Sequence, residues 1–156
     1  MEVNDNNENK EVISDPFMDD QMCIDRLLEE HKKYGQLIVA YDFDNTVFDY
    51  YKKGYKFQKV IELLRLCKRE MNFHLTVFTS CNDDRIPEIK KYLEENDIPY
   101  DSINETPDYI PFRGRKVYFN ILLDDRAGIS SSFSQLEKVF YHIRCMKNKV
   151  GMDDVA

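Results

Sequence analysis

Apolar positions along this chain switch between helical and strand periods. In residues 21–34, Ile24, Leu27, Leu28 and His31 recur at helical spacing, and the stretch ends before Gly35, a residue suited to a left-handed helix cap. A continuous apolar run follows at 37–41 and reads as a buried strand. Phe57, Val60, Ile61, Leu64 and Cys67 restore the helical period through about residue 69, and 73–79, dense in β-branched and aromatic residues, predicts the next strand. Asp84 is placed to cap a third helix with Pro87 in its first turn, its buried stripe being Ile86, Ile89, Tyr92 and Leu93.

Ile98-Pro99-Tyr100 supports no more than a brief strand, and 101–115, with Pro107, Pro111 and Gly114, reads mostly as loop. A strand is predicted at 117–123. A closing helix follows, opened by a Ser134-Gln-Leu-Glu137 capping box and running to about 147 on Phe133, Leu136, Val139, Phe140 and Ile143. Strands alternating with helices of this length predict an α/β fold, a parallel sheet with helices on both faces.

The chain has 156 residues, 42% of them hydrophobic, which suits one domain. The predicted organisation is a solvated, disordered acidic tail over 1–20, a single domain over 21–150 and a flexible C-terminus over 151–156. The tail holds seven acids against one base, whereas the remainder holds 22 acids against 21 bases. The folded body is therefore nearly neutral and has no global field to recruit nucleic acid. No apolar run approaches a membrane span and no charged-then-apolar leader opens the chain, so a cytoplasmic protein without membrane association is expected. Cys23, Cys67, Cys81 and Cys145 are widely spaced and fit reduced thiols, and neither they nor His31, His74 and His142 form a zinc pattern.

The chemistry gathers where apolar runs stop. The first strand ends in Asp42-Phe-Asp44-Asn-Thr46, the second in Thr79-Ser80, and the last in Asp124-Asp125. In a parallel sheet with right-handed crossovers the carboxyl ends of all strands share one edge, so these residues are predicted to converge in one crevice. Carboxylates held within a few ångströms repel, and a hard divalent cation with oxygen ligands, most naturally Mg²⁺, keeps them ionised. Asp42 and Asp44, one residue apart, point the same way while Phe43 faces elsewhere. A calcium loop is excluded because Val47 stands where such a loop requires glycine.

Asp42-Phe-Asp44-Asn-Thr46, Thr79, a lysine ahead of the last strand, and Asp124-Asp125 resemble, in order and over about residues 36–145, the four motifs of the haloacid dehalogenase superfamily. The resemblance implies a Rossmann-like three-layer fold and phosphatase chemistry. Asp42 would be the nucleophile that forms an aspartyl phosphate, and Asp44 the general acid and then base. Thr79, with Ser80, would bind the phosphoryl group, and Lys116 would neutralise it, with Arg113 the alternative. Mg²⁺ would be held by Asp42, the backbone carbonyl of Asp44, Asp124 and Asp125. Asn45 stands where many relatives carry glycine, and it tolerates the left-handed backbone such a turn needs.

The gaps between motifs leave no room for a cap domain. The open crevice suits either a large substrate or a homo-oligomer in which a neighbouring subunit closes over a small one. A small phosphorylated metabolite or nucleotide is the first expectation. The alternatives are a nucleic-acid 3′- or 5′-phosphate end and a non-catalytic module that binds a phosphorylated ligand. Tyr50, Tyr51 and Tyr55 with Lys52, Lys53 and Lys56 form either a packed flap with a solvated basic edge or a surface for stacking a base. Asp83, Asp84 and Arg85 read as capping and surface groups.

Overall fold

The computed structural model describes residues 12–153. Its elements alternate: α1 (Asp20–Tyr34), β1 (Ile38–Tyr41), α2 (Gln58–Met71), β2 (His74–Val77), α3 (Ile86–Glu95), β3 (Ser102–Ile103), β4 (Ile121–Leu123) and α4 (Ile129–Asp153). The four strands form one all-parallel sheet in the order β3-β2-β1-β4. With helices around that sheet, the chain has a Rossmann-like α/β fold, and no cap domain is present among the described residues. Strand addition runs one way from β1 to β3 and then jumps to the other side of β1. The gap between the carboxyl ends of β1 and β4 is thus a topological switch point, where such sheets open a crevice.

Register decides which side chains enter the core. Val39 lies opposite Leu75 and Ile121, and Tyr41 opposite Val77 and Leu123. These six are buried in one cluster with Leu64 and Cys67 of α2, Ile89 and Leu93 of α3, Leu136 and Phe140 of α4 and Leu27 of α1. Full burial of such a side chain is worth about 1.5–3 kcal/mol, so this face supplies most of the cohesion. On the opposite face, Ser102 Oγ donates to Thr76 Oγ1 at 3.0 Å, and His74 meets the Tyr109 ring, so the irregular segment after β3 folds across there.

The amino end of the sheet is tied by polar groups that all find partners. Buried Asn120 accepts from Ile38 N–H at 2.6 Å through Oδ1, donates to Glu30 through Nδ2, and offers its carbonyl to Arg26. Glu30 is held in turn by Arg26, one turn earlier on α1. On the other flank, Asp101 accepts from Leu75 N–H and from Lys68, which fixes the entry to the edge strand β3.

Several boundaries differ from expectation. Gly35 does cap α1, at φ 72° with its N–H bonded to His31 O. The acidic stretch, however, is already structured before residue 21: Asp19 caps α1 by accepting from Gln21 N–H, and Asp20 accepts from Gln135 of α4. Residues 1–11 of the expected tail lie outside the described residues. The Ser134–Glu137 box caps nothing, because α4 begins five residues earlier, after Gly128 turns the chain at φ 69°. The same helix runs past 147 to Asp153, there being no proline or left-handed residue to stop it; 154–156 lie outside the described residues.

Asp84 does not cap α3 either: a 3-10 turn over Asp83–Arg85 leads into that helix without a side-chain cap. The edge strand forms at Ser102–Ile103, beyond Pro99, whose missing N–H suits it poorly to a ladder. Among the described residues no helix is long and apolar enough to cross a membrane.

Candidate active site at the carboxyl edge

The sheet ladder continues one residue past the named strands, with Asp42 N–H bonded to Leu123 O at 2.9 Å and Phe78 N–H to Tyr41 O at 2.8 Å. That sets the strand-end polar residues at one height. Asp42, Asp44, Thr79, Ser80, Asp124 and Asp125 all line one cavity of about 410 Å³, together with Asn45, Tyr50, Tyr51, Phe78, Arg85 and Arg126. A larger hollow of about 880 Å³ between α1 and α4, walled by Leu28, Ile143, Met146 and Val150, holds none of these residues.

The loop after β1 is built tightly. Phe43 O accepts from Val47 and Phe48 N–H, Asn45 takes the left-handed conformation at φ 58°, and its N–H bonds Phe48 O at 2.7 Å. Phe43 is buried against Phe48 and Tyr92, which anchors the turn while its neighbours on either side face the cavity. Fully buried Thr46 accepts from Asp125 N–H through Oγ1 and so ties this loop to the end of β4. Asn45 Oδ1 is buried without a partner, a cost the loop carries.

Asp42, Asp124 and Asp125 can each place a carboxylate oxygen within 4.8 Å of the others. The Asp42 carboxyl is consequently pushed up to about 7, first by burial, then by the Asp124 charge, with Asp125 adding to it and the Phe43 N–H opposing. Oxygen donors alone, three of them acidic and crowded, fit a hard divalent cation such as Mg²⁺. The Asp44 side chain is not part of this trio. Both its oxygens accept from Arg85, NH1 to Oδ2 and NH2 to Oδ1, each at 2.6 Å, and the Arg85 guanidinium lies 5.5 Å from the centre of the Phe43 ring.

Thr79 is fixed by a residue that sequence reasoning missed. Asn104, at φ 54° just beyond β3, accepts from Thr79 N–H and donates to Thr79 O, each at 2.8 Å. Arg85, which reads from the sequence as a surface group, lines the cavity as well. Its only sequence signal is its place six residues beyond Thr79, where the chain turns back from the sheet edge into α3. Arg126 follows the acids directly and is exposed, its N–H donating to Asp124 Oδ1.

Lys116 is a correction. It does not line this cavity but a separate hollow with Phe112, Gly114 and Tyr118. The reason is topological: in a parallel sheet the chain entering β4 approaches its amino end, where Asn120 bonds Ile38, whereas the acids stand at the carboxyl end. Arg113 is occupied elsewhere too, donating to Thr106 O and Pro107 O.

No family model and no curated protein matches the chain. Among solved structures it is similar to a conserved protein from Bacteroides thetaiotaomicron, at 21% identity over 60% of this chain and 78% of that one, with a TM-score of 0.50. At that identity the likeness speaks for the fold.

Proposed function

We propose that the chain is a Mg²⁺-dependent phosphomonoesterase of the haloacid dehalogenase type. The observation that carries the reading is the convergence of Asp42, Asp124 and Asp125 on one point of a cavity that also holds Asp44, Thr79 and Ser80. Mg²⁺ held by Asp42, Asp124 and Asp125 would neutralise the acids and draw charge from the phosphoryl oxygens. A carboxylate oxygen of Asp42 attacks phosphorus as the bond to the leaving oxygen breaks, and that oxygen takes a proton from Asp44. Water then attacks the aspartyl phosphate, giving its proton to Asp44, and the bond between phosphorus and Asp42 breaks to release phosphate. The backbone at Thr79, clamped by Asn104, holds that residue and Ser80 at the cavity wall for the phosphoryl group.

A small phosphorylated metabolite or nucleotide is the preferred substrate class. A phosphorylated nucleic-acid end is the second reading, supported by Tyr50 and Tyr51, which line the cavity while more than half exposed and lead into Lys52 and Lys53. The deciding experiment is phosphate release from a panel of phosphomonoesters, nucleotides and 3′- or 5′-phosphorylated oligonucleotides, with and without Mg²⁺, against Asp42→Asn. Release that needs metal and vanishes in the variant supports the chemistry. Steep salt dependence with oligonucleotides alone would favour the second reading, and no release above the variant on any substrate would leave a phospho-ligand binding module.

A further inference from the structure

We propose that Arg85 is the phosphate-binding cation of this site and that it reaches the phosphoryl group by giving up Asp44. The inference rests on the phosphomonoesterase reading and names a residue and a movement that the reading does not require. A phosphoryl group entering beside three carboxylates needs a positive partner of its own. Lys116 and Arg113 are placed elsewhere, so among the described residues lining the cavity the cations are Arg85 and Arg126. Arg126 is exposed. Arg85 is partly buried, its side chain 26% exposed, with the guanidinium against Phe43 and its backbone N–H bonded to Asn82 O in the 3-10 turn.

The guanidinium already presents its planar fork to a pair of acidic oxygens, and two phosphoryl oxygens offer the same pattern with more charge. The pairing also has a cost for catalysis. Both Asp44 oxygens are engaged by Arg85, which leaves neither to face a leaving group. Exchange of partners resolves both problems at once: the fork transfers from carboxylate to phosphoryl, one bidentate pair replaces another, and Asp44, freed only when substrate is present, takes up from solvent the proton it then gives to the leaving oxygen. Asp44 and Arg85 thus form a latch that the phosphoryl group opens.

The test is the Kd of inorganic phosphate, measured by calorimetry in Mg²⁺ for the wild type, Arg85→Gln, Arg85→Lys and Arg126→Gln, with Tm recorded for each and kcat/KM on an aryl phosphate alongside. Arg85→Gln is expected to raise the phosphate Kd at least tenfold, Arg85→Lys to recover part of it by keeping charge without the fork, and Arg126→Gln to stay within threefold. A Kd within twofold of wild type in folded Arg85→Gln, or the large loss appearing in Arg126→Gln instead, overturns the proposal, as does a wild type that binds no phosphate. Phosphate binding that depends on Arg85 without turnover of any ester would sink the phosphatase reading and keep this one. Turnover with phosphate binding indifferent to Arg85 would do the reverse.

Discussion

Replacing Asp42 with asparagine should make the metal-free protein more stable above neutral pH, although it removes the proposed nucleophile. The folded-state carboxyl is pushed from 3.8 to about 7, so between those values the native state holds a proton that the unfolded chain has released. Stability must then fall as pH rises from about 4 to about 7 and level off above it. Taken whole, a gap of that size is worth about 4 kcal/mol. Asp42 is only about half buried, so solvent screening reduces this to about 1–2 kcal/mol. Asparagine keeps the shape and cannot ionise. In a chain of 156 residues, that difference corresponds to a melting temperature about 2–6 °C above wild type. The assay is thermal unfolding at pH 8 and pH 4 in chelator, then at pH 8 with Mg²⁺. The advantage should vanish at pH 4, where wild-type Asp42 is protonated as well. It should invert with Mg²⁺ at about 100 times its Kd, where binding adds about 2.7 kcal/mol to the wild type and the variant has lost a ligand. A variant no more stable than wild type at pH 8 without metal, or one whose advantage persists at pH 4, would refute the electrostatic account of this cluster.

Substitutions at three further positions probe how the two ends of the sheet are built. Asn45→Gly should leave Tm unchanged or raised by about 1–3 °C, because glycine accepts φ 58° and removes a buried acceptor without a partner, whereas Asn45→Val should cost about 1–2 kcal/mol from backbone strain; urea unfolding of both measures the contrast. Asn104→Ala should cost about 1–2 kcal/mol by releasing both backbone groups of Thr79 and lower kcat/KM at least tenfold, since the second strand end loses its clamp; steady-state kinetics on the best substrate of the panel would show it. Asn120→Leu should cost about 2–3 kcal/mol in chemical denaturation by stranding Ile38 N–H and Glu30, with kcat unchanged because the residue lies at the opposite end of the sheet.

What the sequence discloses here depends on how local the signal is. Asp42, Asp44, Thr79, Asp124 and Asp125 were legible because each stands at or within two residues of the end of an apolar run, and a parallel sheet turns that adjacency into a shared edge. Lys116 rested on the family resemblance instead, which sets a lysine a short way ahead of the acids; here that residue precedes β4, approaches the strand's other end and lines a separate hollow. Arg85 was invisible because its partner Asp44 lies 41 positions away, and an arginine beside two acids at a helix start looks like any solvated turn. Asn104 was hidden for a related reason: its value lies in a left-handed backbone and a side chain aimed across to β2, neither of which periodicity reports. The Ser134–Glu137 pattern failed because a capping box is only a local option, and Gly128 with the α1–α4 contact at Asp20 and Gln135 set the helix start earlier.

The two ends of this sheet treat their polar groups in opposite ways. At the amino end Asn120, Glu30 and Arg26 satisfy one another and the strand N–H, so the cluster contributes to stability and asks for nothing further. At the carboxyl end three acids face one another, one carboxyl is pushed up to about 7, and Arg85 is engaged by Asp44 rather than by the three. A fold shaped only by stability would be expected to replace such a cluster, because breaking the repulsion is as simple as one asparagine. Its place at the switch point between β1 and β4, in a cavity whose walls are tied by Thr46 and Asn104, is what supports the ligand site proposed above. The Asp44–Arg85 pair likewise differs from an ordinary surface ion pair: it is bidentate, partly buried against Phe43, and lines the same cavity as the three acids.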